Sequence, residues 1–361
     1  MTSEIQLDHA LGIVAESRDI TVRQLDSSMT NEWDQYILAH PQASLFHLTG
    51  WRRVLEDTFN YNSYYLYAEH KGRITGVVPL FLISNPIVGK CLMSVPFGVY
   101  GGILADDESY TDVLLQRSKD LARSFKVDYL ELRSRNSRLF PEFHANSRYA
   151  TFTTQLSGDV EVNFKRLPRD TRYMIRKGEK AGLTTRHGVD QIALFYDLFA
   201  QNMREHGTPV FPRVLFDKLL HEFQDRIDLT IVYSRTRAIS GVLSFLFRDT
   251  ICPYYAGVTP LARPMAANNF MYWELMKWAV HRGVQTFDFG RSKKGTGAYA
   301  FKMGWNMAVE ALDYQVHLVR RKTPPNFSPT NPIFESAGRV WKKLPLWMTL
   351  ALGPRLSPWF P

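Results

Sequence analysis

The sequence predicts a mixed α/β protein in which one order of strands and a helix occurs twice. In each half of the chain, three apolar strand segments precede a helical segment and a short return strand. The segment Gly-Arg-Ile-Thr-Gly76 also aligns with Arg-Ala-Ile-Ser-Gly241 at matching places of the two halves. Strand meanders followed by one helix predict mixed sheets with helical cover. A repeat this long indicates duplicated domains, because solenoid periods are much shorter.

Alternating apolar residues, with turn residues between the runs, define the predicted elements of each copy. The first copy has strands at 63–69, 74–83 and 91–95, a helix at 110–125 and a strand at 129–133. The second copy has strands at 229–235, 239–248 and 252–258, a helix at 268–282 and a strand at 286–290. We predict domains over residues 21–155 and 156–320, between a flexible N-terminus at 1–20 and a Pro- and Trp-rich tail at 321–361.

Composition and the first residues limit the class of protein. The chain of 361 residues is 45% hydrophobic, which is typical of a packed globular protein. Cys91 and Cys252 stand in apolar strand segments, so we expect buried thiols in a reducing compartment. The N-terminus lacks a signal-peptide pattern, and no apolar run approaches the roughly 18 residues that span a bilayer. We expect a cytoplasmic protein, with the inner face of the inner membrane as the alternative location. The scattered histidines predict no metal site.

Cations collect in one segment that is also predicted to be helical. The net charge of the chain is +9, and six cations with only two acids lie within residues 166–180. Arg169, Arg172 and Arg176 fall on one helix face. This excess of positive charge favours binding of phosphates or of a nucleic-acid backbone. A solvated basic helix is the alternative interpretation.

A glycine-rich basic loop follows the predicted strand at 286–290. Residues 290–297 hold three glycines and three cations, and an aromatic-Lys-x-Gly-aromatic turn follows at Phe301–Trp305. Glycines let a backbone approach a ligand closely, and the cations suit an anionic or charge-developing group. The Gly-Lys-Ser/Thr order of a nucleotide-binding P-loop is absent. The loop is therefore a candidate functional site, with a solvated basic turn as the alternative.

Several motifs resemble, in their order along the chain, those of one transferase family. They are Phe-His-Leu-Thr-Gly-Trp51, Gly-Val-Val-Pro-Leu80, Ser-Val-Pro-Phe-Gly-Val-Tyr-Gly-Gly102, Tyr-Leu-Glu-Leu-Arg133, Arg-Tyr-Met-Ile-Arg-Lys177, Gly-Thr-Pro-Val-Phe-Pro212 and Phe-Asp-Phe-Gly-Arg-Ser292. Over roughly residues 20–320 the chain resembles the FemAB-related (Fem-type) acyltransferases, most closely the group associated with exosortase (PEP-CTERM) and exopolysaccharide systems. The resemblance implies an α/β fold of two tandem GCN5-related N-acyltransferase-like (GNAT) domains.

The resemblance also implies transfer of an aminoacyl group to an amine or hydroxyl of a cell-envelope or exopolysaccharide precursor. Phe301-Lys302 match a Phe-Lys pair of Fem-type enzymes, whose lysine is implied to stabilise charge in the transition state. Asp288 is the second predicted catalytic residue, because it can orient Arg291 or Lys302; it can equally cap the following turn. A non-catalytic scaffold of a polysaccharide-assembly complex is the alternative, since a fold does not fix a function.

The acceptor site is inferred from both halves. Trp51 and the segment 100–106 match places where Fem-type enzymes hold the acceptor, but Tyr-Gly-Gly replaces the usual Arg-Gly-Pro. The expected acceptor is therefore a sugar nucleotide or lipid-linked saccharide rather than a muropeptide. Tyr299 and Trp305 suit stacking on a ring or packing in the core. The predicted substrate-binding residues are Trp51, Tyr100, Asp106, Arg291, Lys293, Tyr299, Phe301 and Trp305.

The donor is inferred from the loop before the second predicted helix, Arg263-Pro-Met-Ala-Ala-Asn268. Acyl-CoA-dependent relatives carry glycines there, whose amides cradle pyrophosphate. Here alanine replaces the first glycine and Pro264 removes one amide, although Ala266 keeps its N–H. We therefore favour aminoacyl-tRNA as the donor, with acyl-CoA as the alternative; no other cofactor and no DNA are expected. The predicted donor-binding residues are Arg169, Arg172, Arg176, Lys177 and Arg263.

The C-terminal tail begins with a Pro-rich linker at 323–332 and continues with tryptophans beside cations. Trp341, Trp347 and Trp359 are ordinarily buried somewhere, which favours docking of the tail on the protein or on a partner. A peripheral membrane contact through residues 340–361 is the alternative.

Overall fold

The computed structural model describes residues 20–135, 138–325 and 332–361. The flexible N-terminus predicted for residues 1–20 therefore lies, except for Ile20, outside the described residues. The elements of the first half are β1 (Thr21–Gln24), α1 (Thr30–Ala39), α2 (Thr49–Phe59), β2 (Asn62–His70), β3 (Arg73–Asn85), β4 (Gly89–Ser94), β5 (Leu104–Ala105), α3 (Glu108–Ser124), β6 (Tyr129–Leu132) and β7 (His144–Gln155).

The second half repeats this order and adds further helices. Its elements are α4 (Val160–Arg166), α5 (Arg169–Lys180), β8 (Leu183–His187), α6 (Ile192–His206), α7 (Arg213–Phe223), β9 (Ile227–Ser234), β10 (Arg237–Phe247), β11 (Thr250–Val258), α8 (Ala267–His281), β12 (Thr286–Asp288), β13 (Ser292–Lys293), α9 (Gly297–Met303), β14 (Ala308–Leu318), α10 (Pro332–Lys343) and α11 (Leu346–Leu356). The strands and helices predicted for both copies are confirmed, with ends that differ by at most two residues.

One mixed sheet runs through both halves in the order β1-β2-β3-β4-β6-β14-β7-β12-β11-β10-β9-β8, with β5 beside β3 and β13 beside β7. The pairs β4/β6 and β11/β12 are parallel. Both parallel pairings are short, and β11 pairs with β12 only at Thr250–Thr286 and Ile251–Phe287. Beyond Phe287 the chain leaves β11 but stays paired with β7, first through Asp288 and then through β13.

The two copies exchange their last strands. By position in its copy, β7 corresponds to β14, yet β7 pairs with β12 of the second copy and β14 pairs with β6 of the first. The two exchanged strands also pair with each other, antiparallel, at the centre of the sheet. The pairing therefore crosses the domain boundary that we placed between residues 155 and 156, and that boundary stays a prediction.

Helices cover both faces of the sheet. On one face α1, α2, α6 and α7 share a continuous apolar core, in which Trp33, Trp51, Phe195 and Phe216 have no exposed area. On the other face α3 packs on the first copy, and α5 and α8 pack on the second. Alternate residues of each strand supply the two faces, as the period-two pattern predicts.

The two cysteines sit in strands, as expected. Cys91 is fully buried, and burial raises the pKa of its thiol to about 12. Cys252 is partly exposed by area, and burial together with the Asp288 carboxylate raises the pKa of its thiol well above the ordinary value. Both thiols are therefore protonated at neutral pH, and the prediction of a buried thiol is confirmed for Cys91.

The tail docks on the same chain. Gly353 of α11 lies against Val210, and Gly338 of α10 lies against Gly207 at the end of α6. Tyr61 donates a hydrogen bond to the carbonyl of Pro358 at 2.6 Å. The described tail residues therefore dock on the body of the same chain, although Trp347 remains 69% exposed. None of the described helices combines the length and apolarity needed to cross a membrane.

Candidate active site

Asp288 ends β12 and is buried where the two copies meet. Its side chain is 3% exposed. It accepts hydrogen bonds from Tyr100 Oη at 3.0 Å, from Thr151 Oγ1 at 3.0 Å and from the Gly290 amide at 2.7 Å. Arg135 Nη1 lies 3.5 Å from the carboxylate. The carboxylate is therefore fully hydrogen-bonded by groups from both copies, as a buried charge requires.

The partners of Asp288 extend into a network at the junction. Burial and the Asp288 carboxylate raise the pKa of Tyr100 well above its ordinary value, so the phenol keeps its proton. Arg135 stacks 5.2 Å from the centre of the Tyr100 ring and pairs with Glu310 at 2.9 Å. Tyr100 and Arg135 also line a cavity of 260 Å³. Sequence analysis selected both Asp288 and Tyr100 as site residues but missed Thr151, because no motif marks it and its strand was not predicted.

Lys302 lies on α9 and reaches back to the loop after β12. Its Nζ donates to the carbonyls of Phe289 at 2.6 Å, Gly290 at 3.1 Å and Arg291 at 3.2 Å. Burial lowers the pKa of Lys302 to about 8, and the nearby Cys252 and Asp288 oppose this shift. All three ammonium protons are thus donated to backbone carbonyls. The charge, rather than a free proton, is what this residue offers a reacting group.

Arg291 and Lys293 line a larger cleft of 530 Å³ between the exchanged strands and the tail. The Cζ atom of Arg291 lies 4.8 Å from the centre of the Tyr149 ring and 5.7 Å from that of Tyr314. Arg133 lines the same cleft and lies 5.7 Å from the Tyr314 ring. Sequence analysis did not select Arg133, although Tyr-Leu-Glu-Leu-Arg133 of the first copy aligns with Phe-Asp-Phe-Gly-Arg291 of the second and so carried the signal.

Two tryptophans that were predicted to bind substrate lie in the core. Trp51 has no exposed area and contacts the rings of Phe46 and Tyr254, and its indole N–H points at the carbonyl of Pro96. Trp305 is 2% exposed. Neither ring offers a surface to a ligand, and both pack as aromatic core residues commonly do.

The remaining predicted substrate residues are divided between two places. Tyr299 and Phe301 are partly buried on α9, where Tyr299 packs edge-on against Phe152 and Phe301 lies near Trp305. Asp106 is exposed and accepts a hydrogen bond from Tyr36 at 2.9 Å. It is not among the residues that line the 530 Å³ cleft or the 260 Å³ cavity.

The basic segment forms α4 and α5, as the spacing predicts. Arg169, Arg176 and Lys177 are exposed, and Arg172 is partly buried. Within the described part of the chain, the six cations of residues 166–180 form no ion pair. Thr171 donates a hydrogen bond to the carbonyl of Gly304 at 2.5 Å. The basic face is therefore held beside the end of α9, the helix that carries Lys302.

The loop before α8 forms a tight turn. Ala266 caps the helix with a left-handed backbone (φ 55°), and its N–H donates to the carbonyl of Arg263 at 3.1 Å. The Ala266 N–H, which the sequence left available for a pyrophosphate, is therefore already hydrogen-bonded within the turn. The Arg263 side chain is exposed. Across residues 20–135, 138–325 and 332–361, no group of three or more His, Cys, Asp or Glu side chains is placed to hold a metal ion.

Comparisons with known proteins agree with this architecture. Residues 165–303, which include α5, the loop before α8 and Lys302, match the family described as acetyltransferase (GNAT) domain. The crystal structure of FemX is similar over 83% of this chain and 98% of its own, with a TM-score of 0.64 and 14% identity. No curated protein sequence matches the chain.

Two further solved structures share the fold. A tandem GNAT protein from the clavulanic acid biosynthesis pathway, solved without AcCoA, is similar over 84% of this chain and 100% of its own, with a TM-score of 0.53 and 9% identity. L-PGS from Bacillus licheniformis is similar over 89% of this chain and 99% of its own, with a TM-score of 0.51 and 10% identity. The chain thus has the fold of tandem GNAT proteins, and the match to the GNAT domain model lies in its second half.

Proposed function

We propose that this protein transfers an aminoacyl group from aminoacyl-tRNA to an amine or hydroxyl of a cell-envelope or exopolysaccharide precursor, in an exosortase-associated system. The observation that supports tRNA as the donor is the basic face of α5, whose cations have no ion pair among the described residues. The five cations of α5, like Arg166 at the end of α4, lack an ion pair in the described chain, whereas Arg53, Arg123 and Arg138 each have a carboxylate partner. An unneutralised row of cations is suited to a phosphate backbone, which releases counterions when it binds.

The position of this face relates the donor to the candidate catalytic loop. The hydrogen bond from Thr171 to Gly304 joins α5 to the end of α9. A nucleic acid bound on α5 would therefore have its acylated end within reach of Lys302 and the loop after β12. Acyl-CoA is the alternative donor, but Ala266 gives its N–H to Arg263 and Pro264 has none, so a pyrophosphate there would depend on the first amides of α8.

The chemistry is an acyl transfer. The acceptor nitrogen or oxygen forms a bond to the ester carbonyl carbon, and the 3′ oxygen of the tRNA leaves with the proton that the acceptor loses. Negative charge develops on the carbonyl oxygen during attack, and a fixed cation nearby stabilises it. In this proposal Lys302 supplies that charge while its protons hold the carbonyls of Phe289 and Arg291, and Asp288 fixes the strand end through Gly290.

Titration of both donors against one charge-reversal variant tests the proposal. The variant changes Arg169, Arg172 and Arg176 to Glu. We expect aminoacyl-tRNA binding to weaken by about tenfold or more and its salt dependence to flatten, since about three phosphate contacts are lost. The matched control changes Arg117, Arg123 and Lys126, which are exposed on and after α3, to Glu. Tight binding of acyl-CoA by the wild type, with no response to aminoacyl-tRNA, would show that the donor is acyl-CoA.

A scaffold without activity would be distinguished by turnover. The assay supplies each donor with candidate acceptors that carry an amine or a hydroxyl, and transfer is followed by mass spectrometry. A scaffold would bind an acceptor and leave the donor unchanged.

A further inference from the structure

The 530 Å³ cleft places one arginine from each copy on the same tyrosine. Arg133 and Arg291 occupy matching positions after β6 and β12, and each has its Cζ atom 5.7 Å from the centre of the Tyr314 ring. The Arg291 guanidinium is close enough to oppose the positive charge of Arg133. Glu131 pairs with Arg133 at 2.7 Å. Arg291 forms no ion pair within the described residues and instead lies against the rings of Tyr149 and Tyr314.

The charge balance at this pair indicates an anionic ligand. Like charges that are held close together and away from bulk water are costly unless a counter-charge joins them. Glu131 pairs with Arg133, whereas Arg291 has no carboxylate partner among the described residues, so an anion in the cleft would compensate the charge of Arg291. Two guanidinium groups facing a common space suit a phosphate, which accepts from both at once.

Apolar residues also line the same cleft. Ile87, Val88, Met93 and Val316 line it, together with Trp359 and Phe360 from the tail. The tail contacts an arginine of the cleft there, because Arg133 Nη2 donates to the main-chain oxygen of Pro361 at 3.2 Å. The tail thus forms a wall of the cleft while leaving a volume that falls within the usual range of small-ligand sites, about 300–1,000 Å³.

We propose that this cleft binds an anionic amphiphile, with its phosphate at Arg133 and Arg291 and its apolar chain against Trp359 and the strand residues. The tail then completes the site, which gives its docking a use beyond burial of its own tryptophans. The proposal rests on the proposed function only in treating this amphiphile as the acceptor. Binding is measured without any donor, so either proposal can fail while the other stands.

Calorimetric titration of the full-length protein with decyl phosphate, below its micellar concentration, tests the site. We expect decyl phosphate to bind at least about tenfold more tightly than either inorganic phosphate or decyl maltoside, since each lacks one of the two recognised parts. Arg291→Gln should weaken decyl phosphate binding by about tenfold or more, because it removes one charge-assisted contact. Trp359→Ala should weaken decyl phosphate but leave ethyl phosphate unchanged.

The control variant is Arg186→Gln, which removes an exposed arginine on β8 that pairs with Asp190. Geranyl phosphate represents an isoprenoid ligand and dihexanoylphosphatidic acid represents a phospholipid. The one that binds more tightly identifies the class of the natural ligand. Circular dichroism checks that each variant is folded. Arg133→Gln is a second variant of the same phosphate site, so the test does not depend on Arg291→Gln alone. Absence of decyl phosphate binding, or equal binding by wild type and both arginine variants, would overturn the proposal.

Discussion

Lys302 shows how one side chain can serve both structure and chemistry. Three carbonyls at the end of β12 take its protons, and burial lowers the pKa of Lys302 to about 8. The loop carbonyls would repel one another without a cation between them. The charge that holds the loop is therefore the same charge that is proposed to stabilise a developing oxyanion.

Transfer by the wild type should decline as pH rises through about 8. The folded lysine is protonated below that pH and neutral above it, so the stabilising charge is lost on the alkaline side. At pH 9 about nine tenths of the lysine would be neutral. The rate, measured as initial transfer corrected for spontaneous ester hydrolysis, is compared with that of Lys302→Arg. Arginine stays charged, so the variant should show no decline between pH 7 and 9 whatever its absolute rate. If the wild type and the variant showed the same dependence of rate on pH, Lys302 would not be the titrating group.

The hydrogen bonds to Asp288 predict that removal of one hydroxyl group will lower the stability of the protein. Tyr100→Phe removes one donor from a buried carboxylate, and a hydrogen bond to a charged group contributes about 1.5–3 kcal/mol. We expect the free energy of unfolding, from urea denaturation, to fall by that amount. Tyr36→Phe is the matched control, because Tyr36 donates to the exposed Asp106 and its loss should cost less than about 1 kcal/mol. Equal losses in the two variants would mean that Asp288 is better solvated than its burial indicates.

At the scale of elements, the position of α5 depends on a glycine. A Cβ on Gly178 would lie 2.7 Å from Cβ of Phe270 on α8, so the two helices approach closely only because this residue has no side chain. The buried face of α5 holds Thr171, Gly178 and Ile175, and its opposite face carries the cations. Close packing of one face thus aims the other face at solvent.

Gly178→Ala should destabilise the protein although alanine is the better helix former. The propensity gain is about 1 kcal/mol, and overpacking costs about 1–3 kcal/mol, so the net change is a loss of up to about 2 kcal/mol. Gly297→Ala is the control, since no atom lies within 4 Å of the Cβ that it would add at the start of α9. Urea denaturation of both variants checks the sign. A more stable Gly178→Ala protein would show that α5 shifts without cost.

At the scale of the whole molecule, the exchange of β7 and β14 makes the copies depend on each other. Each copy alone would expose the edge at which the partner's strand pairs, and exposed edges favour aggregation. Asp288 would also lose Tyr100 and Thr151, which come from the other copy. The exchange therefore joins stability and site formation in one feature.

Fragments 1–155 and 156–361 should not fold separately. We expect each, expressed alone, to aggregate or to lack a cooperative thermal transition, because β6 and β12 lose their central neighbours. Expressed together, the fragments should associate as one complex and recover a transition. Size-exclusion chromatography and calorimetry follow both outcomes. Cooperative unfolding of either fragment alone would establish the boundary at 155/156 as that of an autonomous domain.

The sequence by itself determined the repeated elements, the basic helix and the glycine-rich loop that precedes Lys302. These follow from period-two strands, helical spacing and glycine content, which depend on neighbours along the chain. The alignment of the two copies even contained the Arg133–Arg291 pair, although it was not taken as a site. The substrate role predicted for Trp51 differs from its place in the core, because burial of an aromatic ring depends on which elements close over it.

Only the tertiary structure decided the exchange of β7 and β14, the partners of Asp288 and the cleft that the tail completes. Each depends on pairing between segments far apart in sequence: Tyr100 meets Asp288 across the exchanged strands, and Arg133 meets Pro361 at the end of the described chain. Local patterns fix which residues are apolar or charged, but a sheet edge accepts any strand of suitable register. The choice among partners is made by the packing of the complete chain, and it is this choice that brings the candidate site together.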